Sequence, residues 1–110
     1  MDPLAAILYG MPYRLIEHDP GDNRLRFGGV PLKLTRREHG LLLVLLRRPG
    51  RVWSREQLLS EVWGDDIAST DRTVDTHIKT LRAKLRELRP DLALIVTHRG
   101  MGYSLELPGP

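Results

Sequence analysis

Apolar side chains recur at helical spacing over residues 71–88. Steps of four and three positions, at about 100° per residue, keep them within a narrow arc of a helix, so we expect this face to be buried. The stripe consists of Val74, Ile78, Leu81, Leu85 and Leu88. The opposite side is polar and carries Arg72, Thr76, Lys79, Thr80 and Arg86, with Thr73, His77 and Arg82 on its flanks. The pattern predicts an amphipathic helix with a cationic outer face.

This polar face has two interpretations. Lys and Arg attract phosphates, and hydroxyl or imidazole groups hydrogen-bond to base edges, so the face suits DNA. Charge opposite an apolar stripe is, however, what any surface helix shows. The helix by itself does not decide between a DNA-binding face and a solvated one.

Two further helices are predicted by their start signals. Segments 35–38 and 54–57 have the residue order of a helix-capping box, in which Ser or Thr is followed three positions later by Glu or Gln. The first helix would end at 49–50, which is Pro-Gly, and the second at Gly64. The candidate caps of the third helix are Ser69, Thr70 and Asp71.

Strand-like segments lie on either side of these helices. Near the start they are YRLIE, RLRF and VPLKL, separated by turn residues at 19–23 and 28–29. After Pro90, segments 95–97 and 103–107 are typical of two strands, joined at 98–102 where glycines permit a tight turn. Three helices followed by a hairpin predict an α+β fold, the winged helix-turn-helix.

The length of 110 residues fits one domain. We expect this domain at residues 13–107, with 1–12 as a linker or tail and 108–110 as a tail. The longest apolar run, 40–46, is too short to cross a bilayer, and the first ten residues lack the basic region of a signal peptide. The absence of cysteine excludes disulfides and thiolate metal sites. Together these features predict a cytoplasmic protein.

The positive charge is concentrated toward the end of the chain. Lys and Arg total 17 and Asp and Glu total 14, which gives a net charge of +3. Up to Asp71 there are ten residues of each sign, whereas from Arg72 onward there are seven basic and four acidic residues. The excess therefore lies in the third helix and the segment after it, and it agrees with an anionic partner.

Three strings of residues resemble one known family. They are LTRREHGLLLVLLRRPGRVWSREQLLSEVWG, STDRTVDTHIKTLRAKLREL and IVTHRGMGYSLEL, in this order. Together they resemble the C-terminal DNA-binding domain of OmpR/PhoB-type response regulators, over roughly residues 14–107. The resemblance implies an N-terminal antiparallel sheet of four strands, three helices and a C-terminal hairpin. It also implies that the third helix enters the major groove and that the hairpin, or wing, reaches the minor groove.

The same resemblance assigns DNA-binding roles to individual residues. It implies contacts to the DNA backbone from Arg55, Trp63, Arg72, Thr73, His77 and Arg82. It implies contacts to bases from Asp75, Thr76, Lys79 and Thr80, and contacts from the wing by Thr97 and Arg99.

Several of these residues have a second interpretation. Trp63 is also a candidate core aromatic, and Arg99 a candidate exposed turn residue. Asp75 could instead be a helix-start acid that pairs with Lys79 one turn on. His39 departs from the family, which has Phe or Tyr there, so looser packing or a buried partner is expected.

The resemblance also implies partners and a biological setting. The expected function is sequence-specific binding of double-stranded DNA for transcription regulation, as the effector domain of a two-component system. We expect a monomer in solution, head-to-tail pairs on direct repeats, and a loop, Asp65–Thr70, that can face RNA polymerase. No cofactor is expected. No receiver domain is present in these residues, so the chain is either an excised effector domain or a stand-alone variant.

Two functions of other classes remain as alternatives. An enzyme is disfavoured because the four histidines lack metal-ligand spacing and Asp75-x-His77 is the only close pair of acid and histidine. Asp65, Asp66 and Asp71 could hold a divalent ion, although loop and cap roles are more ordinary. A winged helix that binds only protein is the remaining alternative.

Overall fold

The computed structural model describes residues 15–64 and 69–108. The described residues divide into two compact units, one of residues 15–32 with 107–108 and one of residues 33–106. The elements are β1 (Ile16–Asp19), β2 (Arg24–Phe27), β3 (Val30–Pro31), α1 (Arg36–Arg47), α2 (Arg55–Trp63), α3 (Asp71–Leu88), β4 (Ile95–His98) and β5 (Gly102–Leu105). The expected linker, most of the Asp65–Thr70 loop and the last two residues of the expected tail lie outside the described residues.

The first unit is an antiparallel sheet in the order β1-β2-β3. Ile16 pairs with Phe27 across β1 and β2, and Phe27 pairs with Val30 across β2 and β3. The turn between β2 and β3 consists of Gly28 and Gly29, whose φ angles of 58° and 84° suit a two-residue hairpin turn.

The prediction of four strands is wrong for the described residues, which form three. Residues 15–32 supply only the three segments that the sequence pattern indicated, and the fourth strand was carried over from the family. The third segment, VPLKL, pairs at Val30 and Pro31 alone. Pro31 has no N–H to donate, which helps to explain why this edge strand is short.

Both predicted capping boxes are confirmed in the second unit. The Thr35 hydroxyl accepts from the Glu38 N–H at 3.2 Å, and the Glu38 side chain accepts from the Thr35 N–H at 2.9 Å. Ser54 and Gln57 make the same reciprocal pair at 3.0 and 2.9 Å. These bonds satisfy N–H groups that a helix start leaves unpaired, so α1 and α2 begin where the sequence predicts. The cap of α3 is Thr70.

The three helices enclose the core of this unit. The buried side of α3 consists of Val74, Ile78, Leu81 and Leu85, as predicted. Leu88 was expected in the same stripe, but that prediction is wrong because the residue is 42% exposed. It is the last residue of α3, where the helix ends before Pro90. None of the helices in the described part of the chain combines the length and hydropathy needed to cross a bilayer.

A two-stranded wing follows α3. Strands β4 and β5 are antiparallel, with Ile95 opposite Leu105 and His98 opposite Gly102. Trp53, just before α2, exchanges both backbone hydrogen bonds with Tyr103 in β5, at 2.8 and 2.9 Å. The segment that leads into α2 is therefore held directly against the wing.

A buried carboxylate joins α1 to α3. Glu38 is 1% exposed and accepts from the Lys84 ammonium at 2.6 Å and from the Thr80 hydroxyl at 2.5 Å. Burial acts to raise the pKa of Glu38, but the hydrogen bonds from Lys84, Thr80 and the Thr35 backbone outweigh it and hold the pKa at about 2. The ionised form of Glu38 is thus hydrogen-bonded both to the cap of its own helix, α1, and to two side chains of α3.

We predict that Glu38 makes the folded state acid-sensitive. Because its pKa is lowered on folding, its contribution to stability is present above the unfolded value of 4.5 and is lost as the pH falls toward about 2. Glu38→Gln should lower the free energy of unfolding at pH 7 by roughly 2–4 kcal/mol. The difference between variant and wild type should shrink between pH 4.5 and pH 2. Urea unfolding across this range measures it.

The matched control is Glu87→Gln, which neutralises an exposed acid on α3. It should change stability little at any pH. A gap between wild type and Glu38→Gln that stays constant from pH 7 to pH 2 would contradict the assigned role of Glu38.

Candidate nucleic-acid interface

The outer face of α3 is exposed along its length. Arg72, Thr76, Lys79, Thr80 and Arg86 all lie on this face, as the sequence pattern predicted. The Thr76 hydroxyl donates to the Arg72 carbonyl at 3.0 Å, which leaves the Thr76 oxygen able to accept a further hydrogen bond. Two cations, Arg72 and Lys79, flank this hydroxyl along the helix.

The hydroxyl of Thr80, unlike that of Thr76, donates to a residue of another helix, Glu38 of α1. The hydroxyl proton points to Glu38, so the group has no second proton to donate to a base. Its methyl group and the oxygen lone pairs remain. The sequence could not reveal this contact, since the two residues are 42 positions apart.

The start of α3 is fixed by local contacts and by Trp63. Thr73 is half-buried, and its hydroxyl accepts from the Thr70 N–H at 3.3 Å. The half-buried His77 ring lies against Trp63, with ring centroids 5.4 Å apart. His77 therefore helps to seat α3 on α2, whereas the contact of Thr73 lies within the start of α3.

Trp63 is a core aromatic, with 7% of its surface exposed. The Arg37 guanidinium lies 5.0 Å from the centre of its ring and donates to the Val62 carbonyl at 2.9 Å. A cation over an aromatic face is attracted by the negative face of the ring. Arg37 and His77 thus both contact the indole at the end of α2, and the packing interpretation of Trp63 holds.

Asp75 connects three elements of the unit. One carboxylate oxygen pairs with the Arg55 guanidinium at 3.0 Å, and the other accepts from the Tyr103 hydroxyl at 2.6 Å. Asp75 lies on α3, Arg55 in the first turn of α2 and Tyr103 in the wing. The ion pair of Asp75 is thus with Arg55, and the suggested pairing with Lys79 is not the one observed.

Tyr103 is the residue of this cluster that sequence reasoning missed. It is buried, and burial together with the hydrogen bond to Asp75 raises the pKa of its hydroxyl. The hydroxyl therefore stays protonated and continues to donate at neutral pH. The available signal was a tyrosine in a predicted strand of the wing, because a tyrosine hydroxyl needs a partner when it is buried.

A second contact joins α3 to the wing two helical turns beyond Asp75. The Arg82 guanidinium donates to the Thr97 hydroxyl at 2.7 Å and lies 6.0 Å from the centre of the Tyr103 ring. Arg82 and Asp75 occur on the same side of α3, so both face the wing. Arg82 and Thr97, two of the residues to which the resemblance gives DNA contacts, therefore bond to each other.

The tip of the wing carries Arg99 and Met101, both exposed. Gly100 has a φ of 74° and Gly102 a φ of 141°, a range that favours glycine. At Gly102 a Cβ atom would overlap the Trp53 carbonyl, so the close approach of wing and α2 segment requires glycine there. The backbone geometry at these glycines explains why Arg99 extends from a narrow turn.

Hydrogen bonds within the wing also involve side chains. Ser104 is fully buried; its hydroxyl donates to the Glu106 carboxylate at 2.8 Å and lies 2.8 Å from His98 Nε2. With the Ser104 proton directed to Glu106, the His98 ring nitrogen is the donor in the second bond. This chain of bonds crosses from β5 to β4 and stiffens the base of the tip.

A cleft of about 350 Å³ opens between the first turn of α2 and the wing. Its lining includes three of the suggested DNA contacts, Arg55, Thr97 and Arg99, together with the acids Glu56 and Asp71. The N-terminus of α2 faces the same region, and exposed N–H groups at a helix start favour anions. The cleft therefore combines two guanidinium groups with a helix N-terminus.

Metal chemistry receives no support from the side chains that are described. Among residues 15–64 and 69–108, no group of three or more His, Asp or Glu could hold a metal ion. Asp65 and Asp66, two of the three acids considered for a divalent ion, lie outside these residues.

Comparison with known proteins decides the family. The family described as "Transcriptional regulatory protein, C terminal" matches residues 29–105. The chain belongs to this family. It is the family of the OmpR/PhoB-type DNA-binding domain, as the three sequence strings indicated.

The curated members of the family compared here are longer than this chain. The transcriptional regulatory protein CreB of Escherichia coli is 68% identical over 76 residues, which are 69% of this chain and 33% of CreB. ResD of Bacillus subtilis is 43% identical over 93 residues, which are 84% of this chain and 38% of ResD. The matched part of the chain thus spans only about a third of the length of these relatives.

Solved domains of the family share the fold. The DNA-binding domain of the response regulator AdeR, in complex with an intercistronic region, has a TM-score of 0.77 and 30% identity, covering 87% of this chain and 98% of that domain. The Klebsiella pneumoniae RstA domain, in complex with the RstA box, has a TM-score of 0.71 and 27% identity, covering 87% and 95%. The α+β winged-helix fold is therefore confirmed.

Proposed function

We propose that this domain binds double-stranded DNA at specific sequences and so regulates transcription, as the effector domain of a two-component response regulator. The observation that carries the proposal is the exposed cationic face of α3 beside a wing tipped by Arg99. Membership of the family and the DNA complexes of AdeR and RstA support it. The curated relatives named above are transcriptional regulators. We propose that this domain acts in the cytoplasm.

In this proposal α3 lies in the major groove. A B-form major groove is about 12 Å wide and admits a helix, and its base edges present a distinct pattern for each base pair. Thr76 and Lys79 lie on the exposed face and would reach base edges. Thr80 would contribute through its methyl group or as an acceptor, because its proton is directed to Glu38.

Contacts to the DNA backbone would come from the start of α3 and from the cleft between α2 and the wing. Arg72 is exposed near the start of α3, and Arg55 lines the cleft beside the wing. Thr73, His77 and Arg82 lie on the flanks of α3, so their contacts to phosphates would be made at the groove edge. Trp63 would contribute mainly by holding the end of α2, since little of its surface is exposed.

The wing would enter the adjacent minor groove. Arg99 is exposed at the turn, and Thr97 lies on β4 with its hydroxyl accepting from Arg82. A narrow A·T-rich groove concentrates negative potential and favours an inserted arginine through shape rather than base identity.

We also propose an assembly for the bound state. Free domains would be monomers, and two domains would bind direct repeats head to tail, which buries different surfaces on the two copies. A two-fold symmetric pair on an inverted repeat would contradict this arrangement. The loop Asp65–Thr70 is proposed to face RNA polymerase.

The role of charge gives the first test of DNA binding. Arg72→Ala should weaken binding to all duplexes about equally and reduce the log–log salt slope by about one, because phosphates carry no sequence information. Lys79→Ala should instead change the ranking of sequences, by about 1–3 kcal/mol for a well-made base contact. Fluorescence anisotropy against a specific and a random duplex, over a salt series, measures both effects.

The matched control for Arg72→Ala is Arg24→Ala. Arg24 is an exposed arginine of β2 that the resemblance gives no DNA contact. It should leave affinity and salt slope nearly unchanged. A wild-type affinity that does not depend on salt would argue for an acidic protein partner instead of DNA.

The wing gives the second test. Arg99→Ala should weaken binding most at sites with an A·T-rich flank, while the melting temperature hardly changes because the side chain is exposed. Arg99→Lys should recover only part of the loss, since lysine is more strongly hydrated and fits a narrow groove less well. Equal losses for A·T-rich and G·C-rich flanks would show that the wing does not read groove shape.

A further inference from the structure

The contacts of Asp75 form a closed triangle. Tyr103 in the wing is joined to Trp53 by two backbone hydrogen bonds, and Trp53 leads into the first turn of α2. That turn is joined to α3 by the Arg55–Asp75 ion pair, and α3 is joined back to the wing by the Tyr103–Asp75 hydrogen bond. One carboxylate thus completes two of the three sides.

These contacts compete with a direct role of Asp75 in reading bases. A carboxylate reads DNA by accepting from the amino group of cytosine, which requires an oxygen directed into the groove. Both oxygens of Asp75 already accept from groups of its own domain, at 3.0 and 2.6 Å. The position on α3 also matters: Asp75 lies about 90° from the centre of the buried stripe, on the side that faces the wing.

We propose that Asp75 is a positioning residue that sets the distance between the two DNA elements the domain recognises. The inference rests on the proposed function. If α3 occupies the major groove and the wing the next minor groove, their fixed geometry requires the A·T-rich flank at one separation from the major-groove element. A shift of one base pair moves the flank by about 3.4 Å along the helix axis. A wing tied to α3 through Asp75 and Tyr103 cannot follow that shift.

The second contact between α3 and the wing supports the same geometry. Arg82 donates to Thr97 at 2.7 Å, two turns further along the same side of α3. The wing is therefore tied to α3 at two points, and loss of the Asp75 contact would leave it tied at one. In a variant without the Asp75 contact, we therefore expect the wing to remain folded and to adapt to different separations between the A·T-rich flank and the major-groove element.

The experiment measures affinity as a function of this separation. A random-pool selection on the wild-type chain first defines the major-groove element and its A·T-rich flank. Duplexes then carry the flank at the selected separation and shifted by one or two base pairs in either direction. The variants are Asp75→Ala and Tyr103→Phe, and the control is Glu87→Ala, which removes one negative charge from an exposed position on the same helix.

Wild type and Glu87→Ala should lose about tenfold in affinity for a shift of one base pair, which is comparable to a mismatch. Asp75→Ala and Tyr103→Phe should lose less than about threefold while keeping the same ranking of bases in the major-groove element. The double variant should behave like Asp75→Ala alone, because Tyr103→Phe breaks one of the two contacts that Asp75→Ala removes. Tyr103→Phe is the sharper of the two, since it removes only the hydroxyl that donates to Asp75.

Two results would overturn the inference. A dependence on separation equal to that of Glu87→Ala in both variants would show that the triangle does not set the distance. A changed base preference at one position in Asp75→Ala, with unchanged dependence on separation, would show that Asp75 reads a base. Failure of the proposed function looks different, because wild type would then select no sequence at all.

Discussion

Burial of one apolar stripe on α3 is the constraint on which the rest of the second unit depends. Once Val74, Ile78, Leu81 and Leu85 are buried, every other position of the helix has a fixed direction. Positions about 90° from the stripe on one side, Asp75 and Arg82, meet the wing. Lys84 on the other side meets Glu38 of α1. Only the positions farthest from the stripe, such as Arg72 and Lys79, are left to face a partner.

The sequence predicts well what is local in the chain. Capping boxes act over three residues, and the apolar stripe acts over one helix, so all three helices begin and end close to the expected positions. Leu88 was misjudged because periodicity does not show where a helix leaves the core. The four-stranded sheet was an inference from the family, and segment 15–32 has only three strands.

The candidate site was predicted as a set of residues but not as a set of contacts. The helical spacing placed Thr80 on the outer face of α3, which is confirmed, and the resemblance gave Asp75 a contact to bases, which stays a prediction. Their partners, Glu38 and Tyr103, lie 42 and 28 residues away in the chain. No periodic pattern links residues so far apart, so the sequence could not distinguish a base-reading side chain from one that holds two elements together. The available indication of such a contact was a buried polar residue, Tyr103.

The magnitude of the Arg55–Asp75 ion pair indicates why it matters. Their side chains are 50% and 32% exposed, and ion pairs with such access to solvent contribute about 0–1 kcal/mol to folding. Stability is therefore a weak reason to place an acid on a helix face that would meet phosphates. Asp75 also cancels part of the charge of Arg55, so affinity for DNA is not the reason either. The Asp75 carboxylate instead fixes the orientation of two side chains. It directs Arg55 along the cleft, and it holds Tyr103 against α3, so that the wing is held there as well. In the proposed binding mode, in which α3 and the wing occupy two grooves at once, that geometry contributes more to specificity than one additional cation would.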